Sequence, residues 1–344
     1  MNRFFDAEHN FSVDEGHFAE LRQPPRLRYR EDVDFPAWKE DVRQTLLRLL
    51  GHNPARVPLN FQELSREDHP DYTQIFFTVD VEAEVTMPCA LLIPKAGKAP
   101  YPLMVCLQGH STGMHISYGK PIFDGDVEDL RDCDRDYAVR CVKEGFAALC
   151  VEQRGFGIRK TPFDYGDADT TCYFPSMCAL LVGRTMIGER IWDVSRALDA
   201  MPLFPEIDCD LIACMGNSGG GTATYYTTCL EPRIKAAMPA GSVCTYRHSI
   251  GAMRHCVCNY IPGIAKELDM GELACLIAPR PLVVVSGIDD PIFPKDGVEE
   301  VYSIIEKIYQ RVGAQDACRH VIGNGGHRFF ADLGWKAFHE ITGW

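Results

Sequence analysis

Gly216-Asn217-Ser218-Gly219-Gly220 is a G-x-S-x-G pentapeptide placed directly after the apolar run LIACM (211–215) and before TATYYTTCL, which reads as a helix. A sharp strand-to-helix turn holds such a serine at strained backbone angles, and small flanking residues keep strand and helix from colliding. Free N–H groups and the helix dipole then favour a negative charge developing beside Ser218. The five letters alone also suit a glycine-rich turn with an idle serine. Their position between strand and helix favours a nucleophile for acyl transfer.

A nucleophilic serine needs a base, and that base needs an acid to orient it. Both follow downstream, in the order acid then histidine. After the apolar strand PLVVVS, the turn Gly287-Ile288-Asp289-Asp290-Pro291 carries two carboxylates, and on this pattern either could serve. HVIGNGGHRFF then gives a short strand and a loop in which Gly323, Gly325 and Gly326 leave His327 free to fold back over Ser218. His320 and His339 fall on a predicted strand and a predicted helix, with poorer reach. A tetrahedral oxyanion also needs two donors. Gly219 N–H is one; the peptide N–H of His110, in Gln108-Gly109-His110-Ser111 after the strand PLMVCL, is the other. The His110 side chain is left with two readings, substrate contact or packing.

These residues need a rigid frame. Short, nearly continuous apolar runs at 102–107, 146–151, 211–215, 234–240 and 281–286 are separated by helical segments, notably 188–201 and 298–313. Strands buried on both faces look like this, as in a parallel sheet covered by helices. QIFFTVDVEAEVTMPCALLIP (74–94) alternates and predicts antiparallel strands. Residues 1–72 read as an N-terminal extension. Its amphipathic helix, FPAWKEDVRQTLLRLLG, has Trp38, Val42, Leu46 and Leu49 on one stripe and stops at Gly51. That stripe must dock, either on the catalytic domain (73–344) or at an oligomer contact or the site rim. Segments 156–184, with Pro162, Tyr165, Tyr173, Phe174 and Pro175, and 242–270, with Tyr260, read as cap-like insertions. The aromatics there suit a pocket wall or the core equally.

Composition narrows the function. A net charge of −13 and no basic run exclude a nucleic-acid partner and disfavour a strongly anionic substrate. No stretch is long and apolar enough for a membrane helix. The start MNRFFDAEHNFSVDEGHF lacks the apolar region of a signal peptide, and fifteen scattered cysteines suggest a reduced, cytoplasmic interior. Most of these, such as Cys106, Cys150 and Cys214, lie in apolar runs as small hydrophobes. His255, Cys256 and Cys258 invite a metal, yet no second ligand pair stands at a recognisable spacing. They read as buried and structural, and neither metal nor cofactor is expected.

LQGHSTG (107–113), EQRGFG (152–157), GRTMIGERIWDVSRALD (183–199), MGNSGGG (215–221), APRPLVVVSGIDDPIFP (278–294) and GGHRF (325–329) occur in the order found in a known group. The chain resembles the α/β-hydrolases of the dienelactone-hydrolase and acetyl xylan esterase-like kind over roughly 100–330. The resemblance implies an α/β-hydrolase fold and hydrolysis of carboxylic esters, often short acyl groups on sugars, through an acyl-serine. It implies Ser218, Asp290 and His327 as triad, with Gly219 and His110 as oxyanion donors. Asp290 is favoured over Asp289 because the group places its acid three residues after the turn glycine and four before a proline. Gln108 departs from the histidine many relatives carry there, without touching the N–H role. Arg154, Arg184, Trp192 and Asp193 are implied as scaffold. The expected partner is a small-molecule ester, in the sharpest form an acylated sugar, with a homo-oligomer left open. The rival readings are a prolyl-oligopeptidase-related peptidase or amidase, against which the N-terminal hundred residues are too short for a propeller, and a non-catalytic binding protein.

Overall fold

The computed structural model describes residues 13–110, 113–161 and 172–344. The alternating segment becomes β2 (Tyr72–Glu82) and β3 (Val85–Pro94), an antiparallel pair preceded by β1 (Gln62–Asp68). The apolar runs become β4 (Tyr101–Leu107), β5 (Ala147–Val151), β6 (Ile207–Asn217), β7 (Ile234–Ala240) and β8 (Leu282–Gly287), followed by β9 (Cys318–Gly323). They form one nine-stranded sheet in the order β1-β2-β3-β5-β4-β6-β7-β8-β9. The six strands from β5 to β9 run parallel, and β3 joins β5 antiparallel.

The helices are α1 (Asp14–Leu21), α2 (Phe35–Leu50), α3 (Asp126–Cys133), α4 (Tyr137–Lys143), α5 (Tyr173–Leu181) and α6 (Met186–Asp199). They continue with α7 (Gly219–Leu230), α8 (Ile264–Glu267), α9 (Met270–Ile277), α10 (Lys295–Arg311) and α11 (Ala331–Thr342). Both faces of the parallel strands are covered, which is why those strands read as unbroken apolar runs. Leu103, Val105 and Leu107 of β4 pack toward α6, whereas Met104 and Cys106 pack toward α4 and α11. The remaining large cluster joins α2, α7, α9 and α10 over β7 and β8. Each such fully buried aliphatic side chain contributes about 1.5–3 kcal/mol.

α2 is capped by Asp34, whose carboxylate accepts from Ala37 N–H, and ends at Gly51 with φ of 87°. Its stripe of Trp38, Val42, Leu46 and Leu50 packs on α8 and α9, with Leu49 half-buried beside them. Thr185 N–H donates to the Leu50 carbonyl at 3.1 Å, tying the end of α2 to the start of α6. The sheet itself begins at Gln62, inside the span read as extension. β1 escaped notice because all seven of its residues are exposed, which leaves no alternation to see.

Segment 156–184, which reads as a cap-like insertion, holds α5 with Pro175 inside it. That proline stands in the first helical turn, where its missing N–H has no partner to lose. Pro162 and Tyr165 lie outside the described residues. In 242–270 the helical turn Val257–Asn259 meets α5, so the two insertions touch each other. All fifteen cysteines are free thiols. Cys106, Cys150 and Cys214 are buried in strands, and burial pushes the Cys214 thiol up to about 12. Among the described residues no helix is long and apolar enough to cross a membrane.

Candidate active site

Ser218 stands between β6 and α7 with φ 57° and ψ −125°, a left-handed conformation that side-chain-bearing residues avoid. Its N–H donates to the Ala240 carbonyl at 2.9 Å, which anchors the turn to the end of β7. A methyl group on Gly220 would lie 1.9 Å from the Leu107 carbonyl oxygen. The last glycine of the pentapeptide is therefore demanded by the contact between α7 and β4. Ser218 thus sits at the N-terminus of α7, where unpaired backbone N–H groups converge.

β8 and β9 end side by side, and hydrogen bonds from Ile288 N–H to Gly323 O and from Asp289 N–H to Gly325 O bind the loops beyond them, each at 3.0 Å. This brings His327 Nδ1 within 2.8 Å of Asp290 Oδ2. The other oxygen, Oδ1, accepts from Ile292 N–H at 2.8 Å and Phe293 N–H at 3.0 Å. Asp290 is buried and its carboxylate is fully employed; Asp289 is exposed, so the structure brings Asp290 and not its neighbour to the imidazole. With Nδ1 on Asp290, Nε2 is the ring nitrogen left for a hydroxyl. A methyl on Gly241 would lie 3.1 Å from His327 Cε1 and 3.2 Å from Asn217 Oδ1, so the ring stands across Gly241 from the serine turn.

The loop after β4 approaches from the other side. A methyl on Gly109 would lie 2.9 Å from Ser218 Cβ, and one on Gly219 would lie 3.0 Å from the His110 ring. Arg135 pins this loop: its guanidinium donates to the His110 carbonyl at 3.3 Å while Asp129 holds it at 2.8 Å. Gln108 donates to Ser117 Oγ at 2.7 Å and to the Arg135 carbonyl at 2.8 Å, and Gln153 donates to the Gln108 carbonyl. Ser111 lies outside the described residues. The His110 ring and Gly219 are thus adjacent beside the serine turn.

The competing histidines are engaged elsewhere. His320 pairs with Ser286 Oγ at 2.7 Å, and burial pushes its imidazole down to about 4. His339 bonds Glu144 at 2.9 Å and the Trp344 carbonyl at 2.7 Å. His255 was singled out only beside cysteines, yet its ring packs edge-on against Phe293, which in turn stacks on His327 at 5.7 Å. Burial pushes His255 down to about 4, which keeps it neutral beside the site. Only the fold shows this stack. Tyr173 and Tyr260 are partly exposed on the insertions, and the Tyr260 hydroxyl donates to the Ile250 carbonyl at 2.9 Å. Phe174 lines a separate groove with Lys160, Cys178 and Val182 that none of Ser218, Asp290 and His327 enters.

At the two ends of the first insertion, Arg154, Arg159 and Arg184 interlock with Glu82, Glu189 and Asp193 at 2.6–3.0 Å. Trp192 Nε1 donates to the Val81 carbonyl at 2.7 Å. Three positive and three negative groups balance there, so these residues are scaffold.

Glu152, from the same EQRGFG stretch, accepts from Met114 N–H at 3.1 Å. Burial pushes its carboxyl from 4.5 up to about 7, against the opposing pull of the Met114 and Ile158 N–H groups, Arg159 and Lys160. The native state therefore holds a proton between these two values that the unfolded chain releases, and stability falls as pH rises through that window. The full effect is about 3 kcal/mol at pH 8. Glu152→Gln keeps an oxygen for Met114 N–H without the titration. Urea unfolding at pH 5 and pH 8 should show the variant gaining on the wild type by up to that amount at the higher pH. Asp269, also raised to about 7 by burial, titrates in both proteins and cancels in this difference. A difference that does not change with pH would mean that Glu152 ionises normally in the fold.

A mixed sheet with parallel strands, a strained serine after one of them and an aspartate–histidine pair carried by two later strand ends define an α/β-hydrolase. The chain belongs to the Abhydrolase family, whose model matches residues 21–317. It is 28% identical over 309 residues to "Putative hydrolase YtaP" of Bacillus subtilis (strain 168), covering 89% of this chain and 99% of that one. Among solved structures it superposes on a protein titled a putative acetyl xylan esterase, from Bacteroides fragilis NCTC 9343, with a TM-score of 0.75 and 18% identity. That match covers 97% of this chain and 90% of the other. The glucuronoyl esterase from Solibacter usitatus gives a TM-score of 0.68 at 17% identity, covering 93% of this chain and 96% of its own. At these identities the structural matches bear on the fold.

Proposed function

We infer that this protein is a serine esterase acting on small neutral carboxylic esters, with acetyl groups on carbohydrates as the preferred class. The observation that carries this reading is the Asp290–His327 hydrogen bond at 2.8 Å, held by a fully engaged carboxylate, beside a serine in a strained turn. His327 Nε2 takes the Ser218 hydroxyl proton as Oγ bonds to the ester carbonyl carbon, and Asp290 stabilises the imidazolium. The oxyanion accepts from the N–H groups of Gly219 and His110. Collapse breaks the bond to the alcohol, which leaves with the proton from His327. Water then repeats the sequence on the acyl-serine and releases the acid.

The likeness to an acetyl xylan esterase and to a glucuronoyl esterase supports a carbohydrate ester as substrate. The net charge of −13 favours an uncharged one. Fifteen unpaired thiols favour a reducing, cytoplasmic location. The test is a hydrolysis screen of p-nitrophenyl acetate, butyrate and octanoate, an acetylated xylo-oligosaccharide and a matched anilide, with Ser218→Ala as control. Preference for acetate, release of acetate from the sugar and loss of both in the variant are expected. Turnover of the anilide at a rate equal to the ester would instead identify an amidase. Fluorophosphonate labelling of Ser218 without turnover of any ester would move the substrate to another acyl class.

A further inference from the structure

The site just described leaves one group of reactive side chains unused. Cys256-Val257-Cys258 shows no second ligand pair near it in sequence; the fold supplies one from far upstream. Cys172, at the start of α5, and His110, in the loop after β4, converge on the two cysteines. His110, Cys172, Cys256 and Cys258 each present one donor atom, and all four lie within 4.8 Å of one another. His110 Nε2 is 3.3 Å from Cys258 Sγ and 3.9 Å from Cys172 Sγ. His255, the histidine adjacent in sequence, is turned away and bonded to Asn259.

We propose that His110, Cys172, Cys256 and Cys258 bind one zinc ion as a closed Cys3His structural site that clamps the His110 loop to both insertions. Tetrahedral zinc, with bonds of ~2.3 Å to sulfur and ~2.0 Å to nitrogen, holds its donors about 3.5–3.8 Å apart, so the cluster needs to contract by about 1 Å at most. Three thiolates and an imidazole are the soft and borderline ligands that select zinc over magnesium or calcium.

The surrounding charge fits as well. Arg190 is 1% exposed, and its guanidinium donates to Cys258 Sγ at 3.4 Å and to Cys172 Sγ at 3.5 Å. It also lies over the Phe156 ring at 4.4 Å and donates to the Arg154 carbonyl at 2.8 Å. A buried cation whose counter-groups are sulfur atoms makes electrostatic sense when those sulfurs are thiolates. Zinc on three thiolates leaves one negative charge, which Arg190 neutralises beside the two buried ligands, Cys172 and Cys258.

All four positions are filled by protein, so the ion has no open site at which to activate water and acts as a fastener. What it fastens is specific. The His110 ring lies against Gly219, and a metal on Nε2 fixes the loop whose peptide N–H is assigned to the oxyanion. This link to turnover rests on the esterase reading, whereas metal content does not.

Full-length reduced protein, prepared with supplemented zinc and without a metal-binding tag, is expected to carry one zinc per chain by plasma mass spectrometry. Cys172→Ser and Cys256→Ser should each lose most of it. Cys178→Ser, in the same insertion and outside the cluster, should keep it. Cobalt exchanged into the wild-type protein should give sulfur-to-cobalt charge-transfer bands with tetrahedral d–d bands, a readout that needs no variant to fold. Zinc-free reduced protein with no such bands would overturn the proposal, as would equal loss in Cys178→Ser and Cys256→Ser. A Cys172–Cys258 disulfide in the isolated protein would likewise replace the metal with a covalent link. Esterase activity unchanged after complete zinc removal would overturn the clamp on the oxyanion loop and leave the triad assignment standing.

Discussion

His327→Ala is expected to lower kcat/KM for p-nitrophenyl acetate by ~10⁴-fold or more, and Ser218→Ala by a similar amount, because the base and nucleophile act as one unit. The double variant should be no worse than either single one. Asp290→Asn should cost ~10⁴-fold, since the amide preserves the volume but no longer stabilises the imidazolium or selects its tautomer. Stability should change far less in His327→Ala. Asp290 Oδ1 still accepts from the N–H groups of Ile292 and Phe293, so the buried carboxylate keeps hydrogen bonds after the imidazole is removed. Steady-state kinetics paired with thermal unfolding separates the two effects. If His327→Ala kept near-native turnover, or if the losses in Ser218→Ala and His327→Ala multiplied in the double variant, the triad assignment would be wrong.

Legibility in the sequence followed how local the physical signal was. The serine turn was visible because a strand, a pentapeptide and a helix are contiguous, and Gly220 against the Leu107 carbonyl shows why its spacing cannot vary. The parallel strands were visible because burial on both faces writes itself as unbroken apolar runs. β1 was not, since QELSRED is exposed along its whole length and is held by backbone ladder bonds to β2 that have no side-chain signature. Asp289 and Asp290 were inseparable from composition alone. Their difference arises from a turn in which one carboxylate points inward to two N–H groups and an imidazole while the other remains exposed.

The groups that support the site were hidden for a related reason. Arg135 lies 25 positions after the His110 carbonyl it holds, and nothing around it in the chain marks it. In the sequence His255 stands out only for its cysteine neighbours, but its place in the fold is against Phe293. The ligand partners of Cys256 and Cys258 stand at positions 172 and 110, so a search by local spacing could not assemble them. What sequence supplied at this spot was half of a cluster; the contact between two insertions supplies the other half.

Asp193→Ala is expected to be the most destabilising single substitution in the polar interior, costing about 3–5 kcal/mol. The Asp193 side chain is 1% exposed and receives two hydrogen bonds from Arg154, at 2.8 and 2.9 Å, and one from Arg159 at 2.7 Å. Arg154 keeps Glu82 and Glu189 when Asp193 is removed, but Arg159 loses its carboxylate and keeps the Glu152 carbonyl. A buried guanidinium that has lost its hydrogen-bonded carboxylate, with only the Glu152 carboxyl, itself raised to about 7, acting on it, is the costly product, and against a total stability of about 5–15 kcal/mol the loss is large. Asp193→Asn retains volume and one acceptor oxygen, so its cost should be smaller. The pH dependence carries a sign. Burial alone would raise the Asp193 carboxyl, but Arg159 and Arg154 outweigh it and hold it below 3.8. Its contribution is therefore complete above that value and is lost as pH falls through the lower, native one. The gap between wild type and Asp193→Asn, measured by urea unfolding, should be constant from pH 6 to 8 and narrow toward pH 3. Because the group is buried, added salt should leave the gap nearly unchanged at neutral pH. A gap that widened on acidification, or that disappeared in salt, would place Asp193 in a solvated pair and remove the arginine–carboxylate network from the scaffold.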